Sequence, residues 1–197
     1  MAGISLTQIL DTACRLFAQR GIQAVTTAHV AQAAQISVGS LFRYVATKDE
    51  LLRAAADYAQ QQLCQGIGSG SDFPRDTVYD VVRRVWEAAA ARALATPPLF
   101  AYWVLAGATP GVGQQEYSQP RLPVFRSVAR VLGQALVSPI HTELLAYTLE
   151  AQWVDIVQYA LWHQTRKTGP NSDALLAHGY ANWWASVGLS RDFPLST

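Results

Sequence analysis

TTAHVAQAAQISVGSLFRYVATK, Thr26 to Lys48, decides how the rest of the chain is read. Thr26 or Thr27 offers a hydroxyl that accepts a hydrogen bond from an N–H of a first helical turn, and Val30, Ala31, Ala33 and Ala34 carry the pattern on. Those alanines allow a second helix to cross closely. Gln35 and Ile36 break the pattern, Ser37 stands where an N-cap belongs, and Val38 to Tyr44 is long enough for about two turns. Thr47 opens a further helix through a T-x-x-E box with Glu50. Two short helices joined by a tight polar break predict a helix-turn-helix.

Upstream, Leu6, Ile9, Leu10, Ala13, Leu16 and Phe17 recur at helical spacing, with Ser5 and Gln8 as a capping box and Gly21 at the end. Downstream, Leu51, Leu52, Ala55, Tyr58, Ala59 and Leu63 extend the fourth helix. Gly66 to Asp76, GIGSGSDFPRD, reads as a loop. Asp76 or Thr77 starts a fifth helix through Val78, Val81, Val82, Val85, Trp86, Ala89 and Ala90. Pro97 and Pro98 end it, and Pro98 suits the first turn of a short, very apolar sixth. Interruptions over Gly107 to Pro123 predict a long loop, and Val124 to Val137 an amphipathic helix with Arg126 and Arg130 on its polar side. His141 to Arg166 is the longest helical pattern and is apolar almost all the way round. Such a helix must be covered on every side, by its own domain and by another subunit. Asp173 to Val187 forms the last helix. No strand pattern or repeat appears, so the fold class is all-α with about nine helices.

The totals narrow the function classes. A chain of 197 residues that is 50% apolar can bury a sizeable core, while its 15% of charged residues is below the usual quarter. A net charge of +1 argues against a general nucleic-acid coat, although Met1 to Arg53 holds five Lys/Arg against three Asp/Glu. Cys14 and Cys64 lack metal-ligand spacing and read as reduced structural thiols of a cytosolic protein. His141, His163 and His178 show no paired ligand spacing, so no metal and no cofactor is expected. With no signal-like start and no apolar run of about 18 residues, the expectation is a cytoplasmic protein without membrane contact.

In a helix-turn-helix the second helix enters the major groove with its leading residues at base edges. Val38 can pack on a thymine methyl, Gly39 lets the backbone approach, and Ser40 can donate or accept at a base edge. Arg43 and Tyr44 can reach phosphate or the groove. Lys48 lies in the first turn of the next helix, where free N–H groups favour an anion.

Ile9 to Leu52 resembles the DNA-binding domain of the TetR family of bacterial transcriptional regulators, through LFAQRG, the TT pair, V-A-x-A-A, S-V-G-S-L-F-R-Y and K-D-E-L. The resemblance implies an N-terminal DNA-binding domain over 1–53 and a larger helical ligand-binding and dimerisation domain over 54–197. It also implies a homodimer that represses from a palindromic double-stranded operator and is released by a small-molecule effector. By position, Thr26, Thr27, Phe42, Tyr44 and Lys48 fall where the family touches phosphates, and Ser37, Val38, Gly39, Ser40 and Arg43 fall at the groove. Three departures stand out. Gln35 occupies a turn position where glycine is common, which predicts a strained or reshaped turn. Phe42 replaces the usual tyrosine, leaving an apolar contact or a core residue. Ala28 and His29 occupy places that carry basic residues in relatives, which predicts a lighter grip through helix two.

Six tryptophans and eight tyrosines exceed what a bundle of this size needs. Some of Trp86, Phe100, Tyr102, Trp103, Tyr147, Trp153, Tyr159, Trp162 and Trp183 are expected to line an apolar ligand cavity, with Glu150, Gln152 and Asp155 as its polar groups. The effector would be small and hydrophobic or aromatic. Core packing, the dimer seam and solvent are the rival places for these side chains. The alternative function is a small helical enzyme or carrier for a hydrophobic compound. No nucleophile–base spacing, phosphate loop or metal signature favours it, so no enzymatic activity is expected.

Overall fold

A computed structural model describes residues 4–68, 76–113, 120–135, 139–167 and 169–193. Among the described residues lie nine helices and no strand: α1 (Leu6–Arg20), α2 (Thr27–Ala33), α3 (Val38–Leu41), α4 (Lys48–Cys64), α5 (Val78–Ala95), α6 (Pro97–Gly107), α7 (Pro123–Ala135), α8 (Pro139–Arg166) and α9 (Ser172–Val187). The all-α expectation therefore holds. The loops expected over 66–76 and 107–123 fall in part outside the described residues, as does the end of the helix expected to reach Val137. α8 begins two residues before the expected His141 because a proline is at home in a first helical turn, where its missing N–H has no partner to lose.

Packing divides the chain into two units, Met1–Leu63 with Thr96–Gln115, and Cys64–Ala95 with Glu116–Thr197. In the first, α1 is closed at its start by the Ser5–Gln8 capping box. It ends at Gly21, whose φ of +80° is open to glycine and whose N–H reaches Phe17 O at 2.9 Å. One face of α1 buries Ile9, Leu10, Ala13, Cys14 and Phe17. Against that face lies α6, whose Tyr102 stacks on Phe17 at 5.3 Å and donates its hydroxyl to Leu52 O of α4 at 2.8 Å. The Cys14 thiol donates to Ala55 O at 3.4 Å, so α1 and α4 are tied as well.

In the second unit α8 is packed by α5, α7 and α9. Its buried positions, Leu145, Leu149, Trp153 and Val157, form one stripe at four-residue steps. Ala146 and Ala160 are buried beside that stripe, but three large apolar residues are not covered within the single chain: Leu144 is 56% exposed, and Tyr159 and Trp162 are also open. α9 is joined to this layer through the polar ends of its large side chains. Trp183 Nε1 donates to Leu145 O at 3.2 Å, and Tyr180 Oη donates to Tyr79 O at 2.7 Å. From the other side, Gln152 Nε2 donates to Gly179 O at 3.1 Å. A Cβ at Gly179 would lie 1.9 Å from Ile156 Cδ1, so a larger residue there would require the Ile156 side chain to move.

Candidate nucleic-acid interface

The first unit presents a helix-turn-helix whose every joint is a local hydrogen bond. Thr26 caps α2 by accepting the His29 N–H at 3.2 Å, and its own N–H donates to His29 Nδ1 at 3.2 Å. His29 therefore completes a capping box, a role its residue type did not announce because the usual partner is Glu or Gln. Thr27 is half-buried and Thr26 exposed. The turn then passes through Gln35 at φ +57°, the left-handed conformation expected of a glycine, so the strain anticipated from the sequence is present.

Ser37 caps α3, accepting the Ser40 N–H at 3.0 Å. This helix is shorter than the two turns expected: Val38–Leu41 is regular, and the chain then tightens, with Tyr44 and Val45 both donating to Leu41 O at 2.9 and 3.2 Å. The tightening turns Val45 into the core, where it is buried, and leaves the preceding side chains outside. Val38, Phe42 and Tyr44 are 38%, 46% and 41% exposed. Phe42, for which core and contact were both open, lies on the surface. Arg43, Gly39 and Ser37 are exposed beside them and Ser40 is half-buried. Thus Ser37, Val38, Gly39, Ser40, Phe42, Arg43 and Tyr44 are brought together along one short segment.

Two further bonds fix the margins of this surface. Tyr44 Oη donates to Ile4 O at 3.0 Å, tying the segment before α1 to the segment after α3. Lys48 Nζ donates to Ile22 O at 2.7 Å, so the side chain is held near the start of the α1–α2 connection instead of ranging freely. Thr47 accepts the Glu50 N–H at 3.1 Å, while Glu50 Oε2 accepts the Ala46 N–H at 2.6 Å, one residue earlier than a regular capping box. Neither the Tyr44 nor the Lys48 contact has a local sequence signal, since each joins residues more than twenty positions apart.

The residues expected to meet a ligand do not all fall in one unit. Phe100, Tyr102 and Trp103 lie on α6 and are buried in the first. Trp86 and Trp153 are buried in the second, where the Trp86 indole N–H is taken by Leu176 O at 3.1 Å and Trp153 meets Phe125 edge-on at 5.4 Å. Tyr147 is half-buried there, and Asp155, Tyr159 and Trp162 are exposed. Glu150 is 4% exposed, with Oε1 accepting the Leu122 N–H and Oε2 the Arg121 N–H, both at 2.6 Å. Burial pushes its carboxyl above the ordinary value, against the opposing pull of those two N–H groups and of Arg121 and Arg126. Among the described residues no group of His, Cys, Asp and Glu could hold a metal ion, and no helix is long and apolar enough to cross a membrane.

Comparison with known proteins points the same way as the surface. Residues 9–55 match the family described as bacterial regulatory proteins, tetR family. The chain is 37% identical over 86 residues to the HTH-type transcriptional repressor KstR2 of Rhodococcus jostii strain RHA1, an alignment that spans 42% of each protein. Its fold is similar to that of a TetR-like transcriptional regulator from Rhodococcus sp. RHA1, with TM-score 0.75, 19% identity, and 96% of this chain and 100% of that one covered. It is similar as well to a TetR family transcription regulator from Marinobacter aquaeolei VT8, with TM-score 0.71, 22% identity and coverage of 91% and 93%.

Proposed function

With the chain belonging to the TetR family of bacterial regulatory proteins, we propose that it is a cytoplasmic repressor that binds a palindromic operator as a homodimer and is released by a small hydrophobic or aromatic effector. The observation that carries the DNA-binding part is the exposed row Val38, Phe42 and Tyr44 around Arg43, on a segment that a monomeric core would have no reason to leave in water. Apolar and basic side chains side by side on a capped helix suit a groove lined with thymine methyls and phosphates. Thr26, Thr27 and Lys48 flank the row and would take backbone phosphates.

Residues 1–53 would read DNA and 54–197 would regulate and dimerise. Uncovered Leu144, Tyr159 and Trp162 on α8 support a second subunit against that helix. Each subunit would then read one half-site, with half-sites separated by roughly 34 Å or a multiple of it. The effector need only bind a subunit arrangement that misses this spacing better than it binds the DNA-ready one. Glu150 enters as the pin that holds the start of α7, more than as a free group awaiting ligand.

The test is an electrophoretic shift with the DNA flanking the protein's own coding region, repeated over a range of salt. A sequence-selective complex that weakens with salt is the expected result. Absence of any such complex, or a monomer in native mass spectrometry, would count against the repressor or the dimer respectively.

A further inference from the structure

Ser40 has a hydroxyl whose oxygen is already spoken for. Ser37 Oγ accepts the Ser40 N–H at 3.0 Å and donates its own proton to Ser40 Oγ at 2.9 Å. Arg43 Nη2 donates to the same Ser40 oxygen at 3.4 Å. A hydroxyl has two lone pairs and one proton. With one lone pair taken by the Ser37 proton and the other faced by the Arg43 guanidinium at 3.4 Å, the O–H is the group left for an outside partner.

A serine whose hydroxyl turns freely can donate or accept at a base edge and so discriminates poorly. The three-residue relay removes that freedom. Resting on the reading of α3 as the base-reading helix, we propose that Ser40 meets DNA as a fixed hydrogen-bond donor, selecting a base with an acceptor on its major-groove edge, and that Ser37 and Arg43 are the positioning residues that set this polarity.

The chemical consequence is specific. Guanine offers N7 and O6, adenine N7 and thymine O4 as acceptors, whereas cytosine presents only its N4 amino donor. Cytosine is therefore the base rejected at the position Ser40 meets. Ser37 acts through Ser40, because its proton goes to Ser40 Oγ and one of its lone pairs takes the Ser40 N–H. Its place among exposed groove residues would otherwise make it a reader in its own right. Arg43 keeps its remaining N–H donors for phosphate or guanine.

Ser37→Asp separates this polarity from the helix cap. Aspartate still accepts the Ser40 N–H and remains a good N-cap. It has no proton to give Ser40 Oγ, so it takes the Ser40 O–H and leaves that oxygen facing DNA as an acceptor. The full-length wild type, Ser40→Ala, Ser37→Asp and Ser37→Thr would each be used to select duplexes from a randomised library, with base frequencies read at every half-site position.

The wild type should deplete cytosine at one position by about two- to tenfold, the range of a single neutral hydrogen bond. Ser40→Ala should lose that depletion at that position alone. Ser37→Asp should move the preference there toward cytosine or adenine, whose amino groups donate, whatever its added charge does to overall affinity. Ser37→Thr, with cap and hydroxyl both restored, should return the wild-type profile. An unaltered profile in Ser37→Asp, alongside a changed one in Ser40→Ala, would overturn the fixed polarity while leaving Ser40 a reader. A wild type that accepts cytosine wherever Ser40→Ala alters the profile would overturn it as well. If the wild type enriches no sequence at all, the DNA-binding reading falls, and this inference with it.

Discussion

Replacing Glu150 tests the clearest long-range tie in the second unit. Its two carboxylate oxygens accept the N–H groups of Arg121 and Leu122, each at 2.6 Å, immediately ahead of α7. Glu150→Ala strands the Leu122 donor in a buried place and the Arg121 donor in a half-buried one. A buried donor left unsatisfied costs about 1–3 kcal/mol and a half-buried one less, so the loss should total about 2–4 kcal/mol. For a chain of this length each kcal/mol moves Tm by about 2–4 °C, which predicts a fall of about 5–15 °C at neutral pH. Glu150→Gln keeps one acceptor and should lose about half as much. The pH dependence gives a second handle. Burial holds the native carboxyl above its ordinary value of 4.5. Between 4.5 and the raised native value the folded chain therefore keeps a proton that the unfolded chain has released. This favours folding as pH falls through that window and is lost as pH rises through it. The Tm gap between wild type and Glu150→Gln should accordingly widen as pH is lowered toward 4.5. Melts followed by tryptophan fluorescence across pH would read both effects. A Glu150→Ala melt within about 1 °C of wild type, against the shift expected from unsatisfied donors, or a gap that narrows on acidification, would refute the reasoning.

Gln35→Gly should stabilise the first unit by up to about 1 kcal/mol, the relief of a left-handed residue less the extra entropy glycine brings to the unfolded chain; destabilisation in urea would show that the φ of +57° carries no strain. Lys48→Ala should weaken binding to every duplex alike and reduce the slope of log K against log salt by about 1. An unchanged slope would remove Lys48 from the phosphate contacts. Burial pushes both thiols up, Cys14 furthest, so in native protein near pH 8 a thiol reagent should modify Cys64 first and spare Cys14 until denaturant is added. Peptide mass spectrometry after brief labelling would detect the order, and early labelling of Cys14 would contradict its burial.

Legibility followed the range of the interactions. The starts of α1, α2 and α3 could be read because each N-cap lies within three residues of its partner, as Ser5 with Gln8 and Ser37 with Ser40 show. Gln35 was legible for a similar reason, since a turn of that shape sets the backbone angle whatever the residue. The length of α3 was not, because the chain tightens after Leu41 and ends with Val45 buried, which the helical spacing of the sequence does not announce. Nor could the aromatics be sorted from their spacing. The Trp86 indole N–H is taken by a carbonyl 90 residues away and the Trp183 indole N–H by one 38 residues away, partners that no local pattern names. Sequence marked Glu150 as an acid in an apolar helix, yet only the fold shows its oxygens spent on backbone N–H groups.

The apolar circumference of α8 has a physical reading that its composition obscured. A helix with a single buried stripe shows a clear 3.6-residue period, and one with two stripes on different sides shows hardly any. α8 has one stripe, Leu145, Leu149, Trp153 and Val157, covered within its own unit, and further apolar residues, Leu144, Tyr159 and Trp162, that are not. Exposing Leu144 alone forgoes part of the roughly 1.5–3 kcal/mol that full burial of such a side chain supplies. A second subunit or a ligand would cover these three residues together, and the aromatic ones would report on which it is. If a second subunit is the cover, Trp162 fluorescence should shift to the red on dilution through the dimer dissociation range, and Leu144→Glu should weaken dimerisation. The same substitution should leave the melting of the monomer nearly unchanged, because the side chain it replaces is already 56% exposed there.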